Sequence, residues 1–144
     1  MSKPETLTVT VSKHFRASAE RVYDAWLKPE SARQWLFATP DGEMVAYEID
    51  ARVGGGFRFT DRRDGKEWEH VGTYIELTRP HRIVFDFALP AIEPKPDRVT
   101  IEIEREGDGC KLTLTHVMDA KYADYFDQTV NGWTKMLAMM EPHI

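Results

Sequence analysis

The sequence predicts an α+β fold in which seven antiparallel strands form a curved sheet around a long C-terminal helix. Three observations lead to this prediction. Bulky residues recur at helical spacing between Tyr122 and Met140, most of the chain before them alternates between apolar and polar residues, and two short helical segments follow the first strand. The predicted order is one strand, two short helices, six strands and one long helix.

The first strand and the two short helices have clear local signals. Apolar residues occupy every second position over most of Thr6–Phe15, which predicts a strand with one buried face. Ser18 is expected to cap the first helix, because its hydroxyl can accept a backbone N–H of the first turn. Pro29 ends that helix and starts a second one over Glu30–Trp35, and Thr39-Pro40-Asp41-Gly42 predicts a turn.

Six further strands are expected to form a meander with short connections. Asp-Gly at residues 64–65 predicts a tight hairpin, while the glycines at 54–56 and at 72 permit a bend or a close approach. Pro90, Pro94 and Pro96 predict a mobile loop before the next strand. The predicted strands are Met44–Asp50, Phe57–Thr60, Glu67–Leu77, Arg82–Leu89, Arg98–Arg105 and Cys110–Met118.

The strand over Glu67–Leu77 has two competing inward phases. One phase holds Trp68, His70, Tyr74 and Glu76. The other holds Val71, Ile75 and Leu77. We favour the second phase as the core phase, because all three of its residues are aliphatic. The first phase would make a polar strip inside a pocket if it pointed inward.

The final helix is predicted from Tyr122 to Met140, about 19 residues and roughly 28 Å at the α-helical rise. Its apolar stripe holds Tyr122, Phe126, Val130, Trp133, Met136, Leu137 and Met140, with Thr129 among them. An amphipathic helix of this kind needs a large apolar partner surface. A curved sheet supplies that surface, and the two together enclose either a packed core or an apolar pocket.

Composition fits one folded domain over residues 1–144. Apolar residues make up 42% and aromatic residues 11%, and the net charge is −5 without a Lys/Arg run, which argues against nucleic acid and anionic membranes as partners. Cys110 is the single cysteine and is expected to be a small core residue in a reducing compartment. No secretory signal follows Met1, and no stretch of about 18 apolar residues could insert into a membrane, so we expect a cytoplasmic protein.

Several motifs in succession resemble one known family. They cover nearly the whole chain in the family's order: Phe15-Arg16-Ala17, Arg21-Val22-Tyr23-Asp24-Ala25-Trp26, Pro29-Glu30, Trp35, Arg52-Val53-Gly54-Gly55-Gly56-Phe57-Arg58-Phe59, Gly72-Thr73-Tyr74-Ile75-Glu76, Arg82-Ile83-Val84-Phe85, Leu112-Thr113-Leu114-Thr115-His116 and Gly132-Trp133. This pattern resembles the heat-shock protein 90 ATPase activator homologues of the START-like, or SRPBCC, superfamily. The resemblance implies the helix-grip fold of the birch pollen allergen and the lipid-transfer START domains. These folds commonly enclose an apolar cavity, but they imply no single activity.

Candidate ligand-binding residues are the large side chains expected to face that cavity, although any single one of them is more simply read as ordinary core. They are Trp35, Phe57, Phe59, Phe85, Phe87, His116, Tyr122, Phe126, Thr129, Trp133, Met136 and Met140. Trp35 is expected at the cavity mouth. His116 is expected to point inward, where it would orient a ligand, exchange a proton, or bond to a neighbouring Tyr or Thr as a structural residue.

Motifs for established catalytic chemistry are missing from the sequence. The five histidines show no metal-ligand spacing, no nucleotide-binding or nucleophile motif occurs, and Arg62-Arg63 is expected to be solvated in a turn. We therefore expect no metal, no cofactor and no catalytic residue. The main hypothesis is a binding or carrier protein for an apolar or amphipathic small molecule, such as a lipid.

Two other functions stay open at this point. One is a chaperone ATPase co-factor acting as a stress-response interaction module, which the family resemblance suggests. The other is a cofactor-free enzyme that uses His116 with a nearby Tyr, Asp or Glu. Exposed strand edges or the outer faces of the short helices would allow a homodimer.

Overall fold

A computed structural model describes residues 5–39 and 41–144 of the chain. Its seven strands form one antiparallel sheet in the order β1-β7-β6-β5-β4-β3-β2. The elements are β1 Thr6–Phe15, α1 Ala19–Leu27, α2 Pro29–Ala32, β2 Glu43–Ile49, β3 Gly56–Arg63, β4 Lys66–Thr78, β5 Arg82–Leu89, β6 Glu93–Glu106, β7 Gly109–Asp119, a 3-10 segment Ala120–Tyr125, α3 Phe126–Met140 and a 3-10 turn Glu141–His143. The predicted order and the α+β class are confirmed.

The local signals of the first third of the chain act as expected. The Ser18 hydroxyl accepts the backbone N–H of Arg21 at 3.2 Å and caps α1, and Pro29 opens α2. The second helix is shorter than predicted, because it ends at Ala32 and continues as turns. In the predicted turn at 39–42, the Gly42 N–H donates to the Thr39 carbonyl at 3.2 Å, whereas Pro40 lies outside the described residues.

The prediction of a loop around Pro94 and Pro96 is wrong. Strand β6 already begins at Glu93, and only residues 90–92 connect it to β5. Pairing of β6 with β7 begins at Arg98, so the two prolines lie in a part of the strand that has no β7 partner. A proline is tolerated there, because no ladder hydrogen bond requires its missing N–H.

The favoured core phase of β4 is also wrong, and a β-bulge explains why. The pairing of β4 with β5 shifts between Tyr74 and Glu76, which leaves Ile75 as an extra residue. His70 and Tyr74 point inward before the shift, with exposed fractions of 9% and 3%, while Ile75 is 39% exposed. Leu77 packs against the core after the shift. One extra residue reverses the faces of a strand, so neither phase is correct along the whole length.

The final helix begins later than predicted. The residues before it form the 3-10 segment, in which Tyr122 has non-helical backbone angles, and α3 itself runs from Phe126 to Met140. The Asp119 carboxylate accepts the Lys121 N–H at 2.9 Å and fixes the start of that segment. Helix α3 buries Trp133, Leu137 and Met140 against the sheet. None of the described helices combines the length and apolar character needed to cross a bilayer.

Gly72 is a position where the sheet permits no side chain. A Cβ atom there would lie 2.1 Å from the Phe57 ring and 2.9 Å from the Asp86 carbonyl oxygen. The Phe57 ring is itself held by the rings of Phe37 and Phe85 at 5.8 and 5.3 Å. The ring therefore has little room to move away from an added methyl group.

We expect Gly72→Ala to lower the free energy of unfolding by about 2 kcal/mol, the usual effect of overpacking a dense core. Urea denaturation measures the change. Gly132→Ala in α3 is the matched control, because its Cβ would meet no described atom within 4 Å. Equal stability of the two alanine variants would contradict the close approach at Gly72.

Candidate functional site

A cavity of about 560 Å³ lies between α3, the 3-10 segment and strands β3 to β7. Its apolar wall is formed by Phe37, Phe87, Ala88, Leu89, Ile92, Met118, Tyr122, Tyr125, Gly132, Trp133 and Met136. Its polar lining residues are Arg63, His70, Lys95, Asp97, His116, Gln128 and Thr129. The cavity therefore combines a mostly apolar surface with a small set of polar groups, which is typical of small-molecule sites.

Phe37 lies at the centre of the aromatic wall. Its ring stacks on His70 at 4.3 Å between centroids and contacts Phe87 at 5.5 Å and Trp133 at 5.8 Å. The residue belongs to the loop between α2 and β2 and has a left-handed backbone with φ of 57°. Its N–H donates to the Met136 sulfur of α3 at 3.1 Å, which ties this loop to the helix.

His116 joins the sheet to the helix through two hydrogen bonds. The Trp133 indole N–H donates to His116 Nδ1 at 3.0 Å, and His116 Nε2 lies 2.9 Å from Asp97 Oδ2. An indole nitrogen only donates, so Nδ1 must accept and the proton of the neutral ring lies on Nε2, facing the carboxylate. His116 points inward as predicted, but its partners are Trp133 and Asp97 rather than a Tyr or Thr. Both ring nitrogens therefore have a hydrogen-bond partner.

His70 is the second histidine of the cavity, and it is held in the neutral form. Burial lowers its pKa from 6.5 to about 4, despite opposing hydrogen bonds with the backbone of Phe59 and Trp68, and the charge of Arg63 lowers it further. Its Nδ1 lies 3.3 Å from the Phe59 carbonyl oxygen. A carbonyl oxygen only accepts, so Nδ1 carries the proton and Nε2 carries the lone pair.

Arg63 is the last residue of β3 and lines the cavity, so the predicted turn position is wrong for it, while its side chain is still 39% exposed. Its Nε is 3.1 Å from Oδ2 of Asp61, whose side chain is only 1% exposed. Thr39 donates a hydrogen bond to the same carboxylate oxygen at 3.0 Å. The Arg63 guanidinium also lies over the Trp68 ring at 5.5 Å. The neighbouring Arg62 does face solvent and pairs with Glu67 at 3.2 Å.

The opposite end of the cavity opens to solvent. Ile92 and Tyr125 are 58% and 55% exposed there. Lys95 Nζ lies 3.6 Å from the Asp119 carboxylate. The cavity therefore has a buried aromatic end and a wide rim of mixed character.

Half of the twelve candidate ligand-binding residues line this cavity. These six are Phe87, His116, Tyr122, Thr129, Trp133 and Met136. The other six pack in the core or against it: Trp35, Phe57, Phe59, Phe85, Phe126 and Met140. Trp35 is fully buried and packs edge-on against Trp26 at 4.7 Å, so it does not lie at the cavity mouth.

The sequence did not predict the lining residues that come from loops or from the part of β6 before its pairing with β7. Phe37 carries no periodic signal, because it lies between two elements. Lys95 and Asp97 fall in the segment that the prolines assigned to a loop. Among the described residues, no three His, Cys, Asp or Glu side chains come together as a metal site.

Comparisons with known proteins agree with the architecture. Residues 16–144 match the family model described as Activator of Hsp90 ATPase homolog 1-like protein. Protein CV1439 of Chromobacterium violaceum is 25% identical, with a TM-score of 0.84 and 94% of each chain covered. Protein SA2116 of Staphylococcus aureus, described as of unknown function, is 25% identical, with a TM-score of 0.82 and coverage of 94% of this chain and 91% of that one.

A relative whose structure was determined in solution has the same fold. This AHSA1-like protein of Aeromonas hydrophila is 21% identical, with a TM-score of 0.80 and coverage of 95% of this chain and 91% of that one. No curated protein matches the sequence. The family model covers most of the chain, and its fold is that of the helix-grip sheet and C-terminal helix described above. The chain belongs to the Activator of Hsp90 ATPase homolog 1-like family.

Proposed function

We propose that the protein binds or carries an apolar or amphipathic small molecule in the cavity between the sheet and α3. The observation that supports this proposal is the cavity itself, with its volume of about 560 Å³ and its largely apolar wall. Small-molecule sites commonly fall between about 300 and 1,000 Å³. The wall includes two methionines, Met118 and Met136, whose flexible side chains adapt to ligands of different shape.

A substitution at Gly132 tests the proposal without removing any existing contact. This residue lines the cavity, and its Cβ would meet no described atom within 4 Å. A large side chain at this position grows into free space and takes up ligand volume. Replacing glycine inside a helix also removes an unfavourable backbone entropy, so the fold is expected to survive.

We expect wild-type protein to melt at a higher temperature in the presence of at least one member of a panel of fatty acids, sterols and aromatic compounds. Gly132→Trp is expected to weaken that ligand by about tenfold or more, measured by calorimetry, because the indole occupies its space. Gly132→Ala is the matched control and should bind as wild type does. If no compound stabilises the wild-type protein, or if Gly132→Trp responds unchanged, the proposal loses its support.

A second candidate is binding to an Hsp90-type chaperone, which only the family's description favours. A pull-down with the purified chaperone, together with its ATPase rate in the presence of this protein, tests that candidate. The absence of both binding and a change in rate would eliminate it. Because Gly132→Trp fills the cavity, chaperone binding that is unchanged in this variant would separate the two functions.

A further inference from the structure

The buried end of the cavity presents a hydrogen-bond acceptor for which the described residues supply no donor. His70 is only 9% exposed, and it lines the cavity. Its Nδ1 lies 3.3 Å from the Phe59 carbonyl oxygen, which places the proton on Nδ1 and the lone pair on Nε2. A ligand group that donates to this lone pair gains a hydrogen bond in a largely desolvated site.

Three uncharged donors of the wall are already used inside the protein. The Trp133 N–H donates to His116, and the Thr129 hydroxyl donates to the Tyr125 carbonyl at 2.9 Å. The remaining N–H of His116 faces Asp97. A ligand that brings only acceptors, such as an ether, therefore finds no uncharged donor free among these groups, whereas a ligand that brings a hydroxyl finds His70.

Charge at this end is balanced and does not favour an anion. Arg63 is the cation nearest to His70, and the buried carboxylate of Asp61 already pairs with it at 3.1 Å. A ligand carboxylate would meet both that carboxylate and the lone pair of Nε2. A neutral hydroxyl avoids both repulsions. The stacked rings of Phe37 and His70 offer a flat apolar surface beside the acceptor.

We propose that the buried end of the cavity selects a neutral hydroxyl carried on a flat apolar ring, a phenol or an enol, with His70 Nε2 accepting its hydrogen bond and the aromatic wall covering the ring. This proposal rests on the proposed binding function and names its ligand class. In this proposal His70 determines the specificity of the site for a ligand that carries a hydroxyl.

Three probes of matched shape test the proposal: 2-naphthol, 2-methoxynaphthalene and 2-naphthoate. At pH 7.5 we expect 2-naphthol to bind wild-type protein about tenfold more tightly than either of the others, the value of one well-formed hydrogen bond in a desolvated site. His70→Phe should bind 2-naphthol and 2-methoxynaphthalene with equal affinity. His14→Phe, at an exposed position on β1, is the control and should keep the wild-type preference.

A second measurement does not depend on the folding of a variant. In ¹⁵N spectra of histidine-labelled wild-type protein, the Nε2 resonance of His70 should move when 2-naphthol binds and stay in place with 2-methoxynaphthalene. Equal affinity of the three probes with an unmoved resonance overturns this proposal and leaves the carrier function standing. Tightest binding of 2-naphthoate overturns it in favour of an anion site at Arg63. If none of the probes binds while a lipid of the wider panel does, the ligand class is wrong and the binding function is right.

Discussion

Trp133→Ala is expected to lower the free energy of unfolding by about 4 kcal/mol, in the range found when a buried aromatic side chain is truncated. Trp133 is 2% exposed, and its ring contacts those of Trp26, Phe37 and Phe87 at 5.8 to 6.4 Å. Truncation also leaves His116 Nδ1 without its donor, which adds the penalty of an unsatisfied buried group. Urea denaturation followed by circular dichroism measures the effect.

Two further variants separate packing from hydrogen bonding at this position. Trp133→Phe keeps much of the ring volume and removes the N–H, so we expect it to lose about 2 kcal/mol. Lys135→Ala lies two residues away on the exposed face of α3 and should change the stability by less than about 0.5 kcal/mol. A Trp133→Phe variant as unstable as Trp133→Ala would mean that the hydrogen bond to His116 dominates. A neutral effect of Trp133→Ala would contradict its place in the core.

Acid is expected to destabilise the fold through His70 below about pH 6.5. The pKa of His70 is about 4 in the folded protein and 6.5 as its ordinary value, so the unfolded chain takes up a proton first. The stability is therefore complete above about pH 6.5 and falls as the pH drops toward 4. The loss approaches about 1.4 kcal/mol per pH unit and reaches about 3 kcal/mol in total.

Urea denaturation at pH 7.5, 6.0, 5.0 and 4.5 measures this loss, and His70→Gln should remove most of it. His14→Gln at an exposed position should retain the slope. Arg79 and the Lys121 backbone N–H lower the pKa values of Asp24 and Asp119 below 3.8, so their contributions are lost only at lower pH. A stability that is flat between pH 6.5 and 4.5 in wild-type protein would contradict the burial of a neutral His70.

The sequence was sufficient to predict the element order, because each element has its own local signal. Strands β1 and β5 begin and end where alternation and flanking turns predict them, and Ser18 and Pro29 mark the helix starts. Helical spacing also predicts three of the residues that α3 contributes to the cavity, Thr129, Trp133 and Met136, but not Gln128 or Gly132. Local pattern therefore predicts which face an isolated element buries.

Features that depend on pairing between elements were not predictable in this way. The bulge at Ile75 is a property of the β4–β5 register, and it reverses the inward phase within one strand. Phe37 adopts a left-handed backbone, which a phenylalanine in the sequence does not predict. Its ring contacts residues of β4, β5 and α3, which are distant in sequence. The sequence therefore did not predict the buried end of the cavity around Phe37 and His70, although it did predict that α3 lines the cavity.

The pairing of β1 with β7 has a consequence for the order in which the chain can fold during synthesis. Each strand from β2 to β6 pairs with the next strand in sequence, so β2 to β7 can form hairpins as they leave the ribosome. Strand β1 is made first, yet its partner in the described sheet is β7, Gly109–Asp119. The apolar side chains of Val9, Val11 and Phe15 therefore stay exposed until most of the chain has been synthesised. A nascent protein that stops before β7 has an unpaired β1 strand, which can pair with other chains and aggregate.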